Sequence, residues 1–326
     1  MTRTTATRSP LPQSPARDRA HRWDLRLSPY LYIAPFFLLF CLVGLFPLAY
    51  TAYVALHKWE LGGSTHEFVG LQNFADLLAD GYFWNALFNT VSIFVLSSVP
   101  QIVIAIVLAA LLDTRLRGKT FWRMSVLLPY VVAPVAVAII FGNLFGDRFG
   151  LVNAGLELLS LPPIDWHTER LPSHLAIATM VNWRWTGYNA LIFLAAMQAI
   201  PRELYEAAIT DGAGAIRRFF AVTVPMLRPT IIFVVVTSTI GGLQVFAEPL
   251  LFDSSSASVT GGTDRQFQTV TLYLYERAFR NQNLGAGSAV AWTLFLVVVL
   301  FAVLNYLLTR RIASADAGIA KKGRKA

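Results

Sequence analysis

The chain has little charge and almost no cysteine. Only 14% of its 326 residues are Asp, Glu, Lys or Arg, whereas a soluble domain carries about 25%. Cys41 is the only cysteine, so neither a disulfide framework nor a cysteine-based zinc site can be built. The five histidines stand apart from one another, and no HExxH sequence is present. These absences exclude an ordinary soluble enzyme and, despite the net charge of +8, a nucleic-acid binder.

Long apolar runs make up most of the chain, in which 55% of the residues are apolar. A bilayer core about 30 Å thick is crossed by about 20 apolar helical residues. The sequence therefore predicts an all-α membrane protein with six transmembrane helices. Runs of this length, bounded by polar or Pro- and Gly-rich sequence, lie near 29–56, 86–112, 123–145, 173–200, 225–250 and 287–309.

The distribution of cations predicts the orientation of these helices, because Lys and Arg are retained on the cytoplasmic side. Most of them fall in the N-terminal tail, the second and fourth connections and the C-terminus, whereas the other connections hold most of the acids. Both termini are therefore predicted to be cytoplasmic. We expect a partly disordered tail over 1–28, a transmembrane domain over 29–312 and a basic cytoplasmic tail over 313–326. The segment Phe252 to Gln268, which is rich in Ser, Gly and Thr, is predicted to be an outer loop.

Catalytic and nucleotide-binding motifs are missing. The stretch Arg117-Gly118-Lys119-Thr120 ends like a phosphate-binding loop, but Asp113 stands where the motif needs its first glycine. No Ser/His/Asp grouping on one predicted side argues for nucleophilic catalysis. The sequence thus predicts no catalytic residue and no metal site.

The connection between the fourth and fifth predicted spans has an unusual construction. Glu206, Ala207 and Ala208 favour a helix, and Asp211-Gly212 is typical of a helix end. A second short helix is predicted before Pro225, which opens the next span. Two short helices with a glycine elbow would form a compact cytoplasmic knob, whose small Ala side chains let another protein come close.

The same residues resemble a known family. The pattern Glu206-Ala207-Ala208, three residues, Gly212, nine residues and Val222-x-Val224-Pro225 resembles the EAA loop of ABC-importer permeases, here 203–225, with Val replacing the family's Ile and Leu. Further stretches resemble carbohydrate-importer permeases with a MetI-like core, related to the larger channel subunit of the maltose transporter. They are Gly70-Leu71-Gln72-Asn73-Phe74, Leu127-Leu128-Pro129-Tyr130 and Pro225-Met226-Leu227-Arg228-Pro229. The segments Gln244 to Phe252 and Thr271 to Glu276 resemble the cellobiose branch.

The resemblance implies a bacterial inner-membrane permease subunit that imports a sugar, with a di- or oligosaccharide such as cellobiose expected. The implied partners are a second related permease, a cytoplasmic ATPase dimer and an extracytoplasmic solute-binding protein. ATP and Mg would be bound by the ATPase, and this chain would bind no cofactor. The residues implied to contact the ATPase are Tyr205, Glu206, Ala207, Ala208, Asp211 and Gly212.

Polar residues inside predicted spans are costly and are therefore candidates for the substrate pathway. A sugar needs hydrogen-bonding side chains and aromatic surfaces. In the fifth span, Thr237, Gly241, Gln244 and Glu248 are spaced to share one helical face. In the fourth, Asn182, Trp185 and Asn189 share a face with Tyr188 adjacent, and the resemblance adds Tyr130. The predicted sugar contacts are Tyr130, Asn182, Trp185, Tyr188, Asn189, Gly241, Gln244 and Glu248.

Other interpretations of these residues stay open. Trp183 and Arg184 could line the pathway or belong to an interfacial aromatic belt, with Arg184 reaching lipid headgroups or Glu248. Gln244 could bond a neighbouring helix, and Gly241 could serve packing alone. Alternative functions are an amino-acid or polyamine permease, an ATP-independent carrier with inverted repeats and mid-membrane carboxylates, and a membrane-embedded enzyme.

Overall fold

The computed structural model describes the backbone of residues 15–63, 66–114, 117–253 and 258–323. Side chains are described over 27–63, 66–114, 117–253 and 258–307. The predicted disordered start of the N-terminal tail lies outside the described residues, as do the side chains of the predicted basic C-terminal tail. From Pro15 onward the N-terminal tail is helical.

The chain divides into two units, Met1–Tyr53 and Val54–Ala326. The first unit holds helix α1 (Pro15–Leu39), a π-helical segment (Phe40–Leu45) and most of α2 (Phe46–Ala55). The stretch Leu27–Ala55 is apolar and long enough to cross a membrane. Consecutive aromatic rings stack along it, as in the pair Phe36 and Phe40.

The second unit is built almost entirely of helices. It opens with a two-stranded antiparallel pair, β1 (His57–Lys58) and β2 (Glu67–Phe68). The helices that follow are α3 (Gln72–Ala79), α4 (Gly81–Asp113), α5 (Lys119–Val131), α6 (Pro134–Leu144), α7 (Leu151–Leu158), α8 (Arg170–Gln198), α9 (Arg202–Thr210), α10 (Ala215–Arg218), α11 (Val224–Met226), α12 (Arg228–Gly242), α13 (Ala247–Phe252), α14 (Val270–Tyr275) and α15 (Leu284–Gly323). Single helical turns of other types lie at Phe219–Thr223, Ser258–Thr260 and Glu276–Arg280.

Helix α4 is the centre of the second unit and contributes to three apolar clusters. Near its start, Phe83 packs with α14 and α15. In its middle, Ile93 packs with α6, α8 and α13. Toward its end, Ala105 and Ala109 pack with α8 and α12. Side chains from α4, α8 and α12 therefore surround a common interior.

The described residues contain three helices that are long and apolar enough to span a membrane: Leu27–Ala55, Gly81–Asp113 and Leu284–Leu307. Two bent helix pairs raise the number to five if each pair counts as one span. Helix α8 is not among them, because its sequence is more polar. With 29 residues, α8 is nevertheless about 43 Å long at about 1.5 Å per residue.

The predicted span over 123–145 is not one continuous helix. Helices α5 and α6 meet at an angle of 88°, and Val132 and Ala133 between them are extended. The cause is Pro134, which begins α6, because a proline pushes the preceding residue out of the helical region.

The predicted helix over 225–250 is also broken. The segment Ala215–Met226 meets α12 at 66°, and α12 ends at Gly242. Adjacent glycines at 241 and 242 weaken the helix there, and the freed Val245 carbonyl accepts hydrogen bonds from the Thr269 and Thr271 hydroxyls at 3.2 and 2.6 Å. The single helical face predicted from Thr237 to Glu248 therefore does not exist.

Candidate functional site

A cavity of about 270 Å³ lies among α4, α8 and α12. Each helix contributes residues three or four positions apart, which is the spacing of neighbours on one helical face. The lining residues are Ser98, Gln101, Val181, Trp185, Tyr188, Asn189, Phe233, Thr237, Ser238, Ile240, Gly241, Gly242 and Val245. Four of the eight predicted sugar contacts, Trp185, Tyr188, Asn189 and Gly241, are thus brought together.

Aromatic rings form one wall of the cavity. Trp185 and Tyr188 meet edge to face, with their ring centroids 5.9 Å apart. Tyr130 of α5 lies behind them, stacked on Tyr188 at 4.7 Å and in edge contact with Trp185 at 5.2 Å. Helix α5 can come this close because Gly187 has no side chain: an added Cβ would lie 1.7 Å from the Val126 carbonyl oxygen. The predicted residue Tyr130 therefore supports the wall without lining the cavity.

Two amide side chains face the same cavity without partners. Gln101 and Asn189 are each only 3% exposed, and neither side chain makes a hydrogen bond to any other described residue. Their polar atoms are not among the fully buried ones that lack a partner, so they are open to the cavity. The cavity therefore holds unused hydrogen-bonding capacity.

The two adjacent glycines of α12 have different surroundings. A Cβ added at Gly241 would meet no atom within 4 Å, so this position opens into the cavity. A Cβ added at Gly242 would lie 2.6 Å from the ring of Phe94. Within the described chain, close packing is thus the role of Gly242 and not of Gly241.

Besides Tyr130, three predicted sugar contacts do not line the cavity. Gln244 is exposed in the break after α12. Asn182 is half-buried, and its side-chain oxygen has no partner among the described residues. Glu248 lies beyond the break on α13, where it is buried. Sequence periodicity grouped Gln244 and Glu248 with Gly241 only because it assumed an uninterrupted helix.

Glu248 is paired with Arg184 of α8. The Arg184 Nη1 and Glu248 Oε1 atoms are 2.5 Å apart, and the two side chains are only 11% and 6% exposed. The Arg184 guanidinium also lies 5.9 Å from the centroid of the Trp185 ring. Removing one member of such a buried pair costs about 3–5 kcal/mol. The interpretation that Arg184 reaches Glu248 is confirmed, and neighbouring Trp183 packs on Phe141.

A second candidate site is the knob, defined here as residues 202–223. The α9 helix ends as predicted at Asp211-Gly212, where Gly212 has φ +74°. The Ala213 N–H donates to the Ala208 carbonyl and the Gly212 N–H to the Ile209 carbonyl, both at 2.9 Å. This paired arrangement is a Schellman motif, which favours glycine at its left-handed position.

The predicted coupling residues lie on or under the surface of this knob. Glu206, Ala207, Asp211 and Gly212 are exposed and Ala208 is half-buried. Tyr205 turns inward, and its hydroxyl lies 3.0 Å from the Thr223 hydroxyl. Ile209, Ile216 and Phe220 expose apolar side chains on the knob. The knob thus combines α9, whose C-terminal end is fixed by the Schellman motif, with exposed apolar side chains of the kind that bind a protein partner.

An ionic scaffold that the sequence did not predict anchors the segment around α14. Arg265 forms two hydrogen bonds with Glu276, at 2.6 and 2.8 Å. Asp80, the N-cap of α4, accepts hydrogen bonds from both the Arg277 guanidinium and the Tyr273 hydroxyl. The predicted outer loop therefore packs deeply, with Phe267 and Gln268 fully buried.

The scaffold changes the pKa of its carboxyl groups. Burial alone would raise the pKa of Asp80, but hydrogen bonds from Tyr273 and the Tyr82 N–H, together with the charge of Arg277, lower it overall. Burial acts in the same way on Glu276, and hydrogen bonds from Arg265 and Gln268 again bring the pKa below its usual value. Both carboxylates are therefore ionised at neutral pH.

Ser98, Gln101 and Ser238 are the polar lining residues that sequence reasoning missed. A signal was present, because Ser98 and Gln101 lie three residues apart inside a predicted span and on one helical face. The described residues contain no group of three or more His, Cys, Asp or Glu that could hold a metal ion.

Comparison with known proteins places this geometry in context. Residues 77–314 match the family described as binding-protein-dependent transport system inner membrane component. The lactose transport system permease protein LacF of Rhizobium radiobacter is 36% identical over 284 residues, covering 86% of this chain and 92% of the relative. The arabinooligosaccharides transport system permease protein AraP of Halalkalibacterium halodurans is 29% identical, covering 89% and 90%.

Solved structures show the same fold. A chain of a bacterial ABC transporter that imports the acidic polysaccharide alginate superposes with a TM-score of 0.75 at 21% identity. The match covers 90% of this chain and 99% of that one. A second structure of the alginate transporter, in complex with an alginate pentasaccharide-bound periplasmic protein, matches with the same TM-score at 20% identity.

Proposed function

Because the chain belongs to the family of inner-membrane components of binding-protein-dependent transport systems, we propose that it is the permease subunit of an ATP-driven importer for a di- or oligosaccharide such as cellobiose. The observation that carries the proposal is the cavity among α4, α8 and α12. It offers aromatic rings on one wall and amide and hydroxyl groups on the others, which are the groups that a sugar needs.

The composition of the cavity argues against other solutes. None of the described lining residues is a carboxylate that could bind the ammonium groups of a polyamine. Glu248, the carboxylate that an ion-coupled carrier would need, is paired with Arg184 instead of being free to bind an ion. The names of the relatives LacF and AraP, which refer to lactose and arabinooligosaccharides, support a sugar as the cargo.

The partners follow from the same proposal. A cytoplasmic ATPase dimer, which binds ATP and Mg, would receive the knob in a groove, with Glu206 paired to a basic residue. A second related permease would complete the channel, and an extracytoplasmic binding protein would deliver the sugar. The solved complex of the alginate importer with its periplasmic protein supports the last of these.

Six spans with both termini in the cytoplasm fit the proposal. The three apolar helices and the bent pair of α5 and α6 supply four of them, α12 would be the fifth, and α8 would be the sixth. Its polarity is expected of a helix that faces a sugar pathway, because polar residues in spans face the bundle interior or a cavity. This arrangement leaves the knob on the cytoplasmic side.

Gly212 is the sharpest position at which to test coupling. Its φ of +74° is strongly unfavourable for a β-branched residue, so Gly212→Val should distort the end of α9 and abolish sugar uptake. Gly214 is the matched control, because its φ is −64° and an added Cβ meets nothing within 4 Å. Gly214→Ala should transport normally.

Uptake of radiolabelled cellobiose and lactose by cells, and ATP hydrolysis by the purified transporter, would be measured for both variants at matched membrane levels. Wild-type uptake by Gly212→Val would refute the coupling role. Uptake that persists after deletion of the ATPase would favour a carrier instead.

A further inference from the structure

We propose that Gln101 of α4 acts with Asn189 of α8 to select an uncharged sugar, by hydrogen bonding to hydroxyl groups of a ring that rests on Trp185 and Tyr188. The proposal rests on the proposed function. It adds a ligand contact from α4 and a preference for uncharged sugars, neither of which the sequence suggested. It makes Gln101 a residue that determines specificity.

The burial of the two amides is the first argument. Both side chains are 3% exposed, line the cavity and lack a hydrogen bond to any other described residue. Their polar atoms are not among the fully buried ones that lack a partner, so they are open to the cavity and available to hydrogen-bond a ligand. An amide both donates and accepts hydrogen bonds, which matches a hydroxyl group that does the same.

The geometry of the cavity supplies the second argument. Gln101 and Ser98 come from α4, whereas Trp185, Tyr188 and Asn189 come from α8. The aromatic wall can take the apolar face of a sugar ring, while the amides address its hydroxyl edge. Gly241 leaves the remaining space free, because no atom lies within 4 Å of its missing Cβ.

The absence of charge is the third argument. None of the described residues that line the cavity is charged. Arg184, next to Trp185 in sequence, is held by Glu248 and so offers no free positive charge. A carboxylate or phosphate on the ligand would therefore lose its hydration without gaining a cation, which is unfavourable. The cavity should reject uronates and sugar phosphates.

The test measures binding to the complete transporter in lipid nanodiscs by saturation-transfer NMR. The probes are cellobiose, lactose and maltose, as uncharged disaccharides, and digalacturonate, as an anionic one. We expect at least one uncharged probe to bind to the wild type and digalacturonate not to bind. Gln101→Leu should weaken that binding about tenfold or more, because a site built for hydroxyl groups discriminates through its polar contacts.

Gln72→Leu is the matched control, because Gln72 lies on α3, bonds only the side chain of Asp76 and does not line the cavity. It should bind as the wild type does. Gln101→Lys should gain binding of digalacturonate, since it places a cation in the cavity. Single-deoxy analogues of the bound disaccharide, tested on the wild type, repeat the measurement without any risk of misfolding. At least one should bind about tenfold more weakly.

Three results would overturn the proposal: equal binding of digalacturonate and the uncharged probes, wild-type binding by Gln101→Leu, or failure of all three uncharged probes to bind. These results are distinguishable from failure of the proposed function. The coupling test measures ATP-driven uptake by Gly212→Val. Its outcome does not depend on whether Gln101 or another residue contacts the sugar.

Discussion

At the scale of single residues, the glycines of the fourth and fifth predicted spans have separate purposes. Gly187 permits a backbone contact between α8 and α5, Gly242 makes room for Phe94, and Gly241 faces open space. Nothing in the local sequence distinguishes the roles of these three glycines. Only the distances from the missing Cβ atoms separate the structural positions from the one in the candidate site.

Gly187→Ala should destabilise the protein strongly. The added methyl group would overlap the Val126 carbonyl oxygen, and overpacking of a core costs about 1–3 kcal/mol. Because backbone and not a flexible side chain is in the way, we expect the upper end of that range and a fall in Tm of at least about 5 °C.

Gly241→Ala serves as the comparison, since its methyl group meets nothing. It should not lower the Tm, because Ala is also the better helix former. Thermal unfolding of both variants, followed by size-exclusion chromatography of the detergent-solubilised protein, would decide the matter. An unchanged Tm for Gly187→Ala would show that α5 and α8 are not packed as described.

The sequence predicts part of the cavity and misses the rest for identifiable reasons. Trp185, Tyr188, Asn189 and Gly241 were found because helical periodicity holds within α8 and α12. Gln101 and Ser98 carried a signal as polar residues on one face of a predicted span, but the contact of that face with α8 and α12 depends on packing between helices, which no local pattern contains.

At the scale of elements, the two helix breaks show what local sequence can and cannot establish. Pro134 and the adjacent glycines 241 and 242 are recognised breakers, so the positions of the breaks were readable. The angle of 88° between α5 and α6 could not be predicted from the sequence. It depends on packing of α6 against α13, where Gly142 lets the Phe252 carbonyl approach.

The anchored segment around α14 should detach in acid. The pKa values of Asp80 and Glu276 are lower in the folded protein than in the unfolded chain, where they are about 3.9 and 4.3. Such groups stabilise the fold above the unfolded pKa, and the contribution is lost as the pH falls through the folded pKa. We therefore expect the Tm to fall as the pH is lowered below about 4.

Asp80→Asn should lower the Tm at pH 6 and reduce its dependence on pH, because Arg277 loses its partner. Asp264→Asn is the control, since Asp264 is an exposed carboxylate of the same segment with no ion pair among the described residues. Differential scanning fluorimetry between pH 6 and pH 3 gives both quantities. Identical pH profiles for Asp80→Asn and the wild type would contradict this role of the ion pair.

At the scale of the whole molecule, the number of spans is where sequence and structure differ most. The hydropathy of the chain suggests six runs, yet length and apolarity alone support three described helices, or five with the bent pairs. Helix α8, which corresponds to the fourth predicted span, carries Arg184 and the amides Asn182 and Asn189. Under the proposed function this polarity belongs to a helix that lines the sugar pathway, and the same polarity weakens the hydropathy signal of α8 as a membrane helix.

The orientation of the chain makes a prediction for labelling. In a Cys41→Ser background, which removes the only native thiol, we introduce Phe149→Cys and Glu206→Cys separately. Both positions are exposed, with Phe149 at 96%. The topology predicted from the retention of Lys and Arg in the cytoplasm has these two positions on opposite sides of the membrane. A membrane-impermeant maleimide should label Phe149→Cys in intact spheroplasts and Glu206→Cys only after permeabilisation. Labelling of Glu206→Cys from outside would reverse the topology and remove the knob from the reach of any cytoplasmic ATPase.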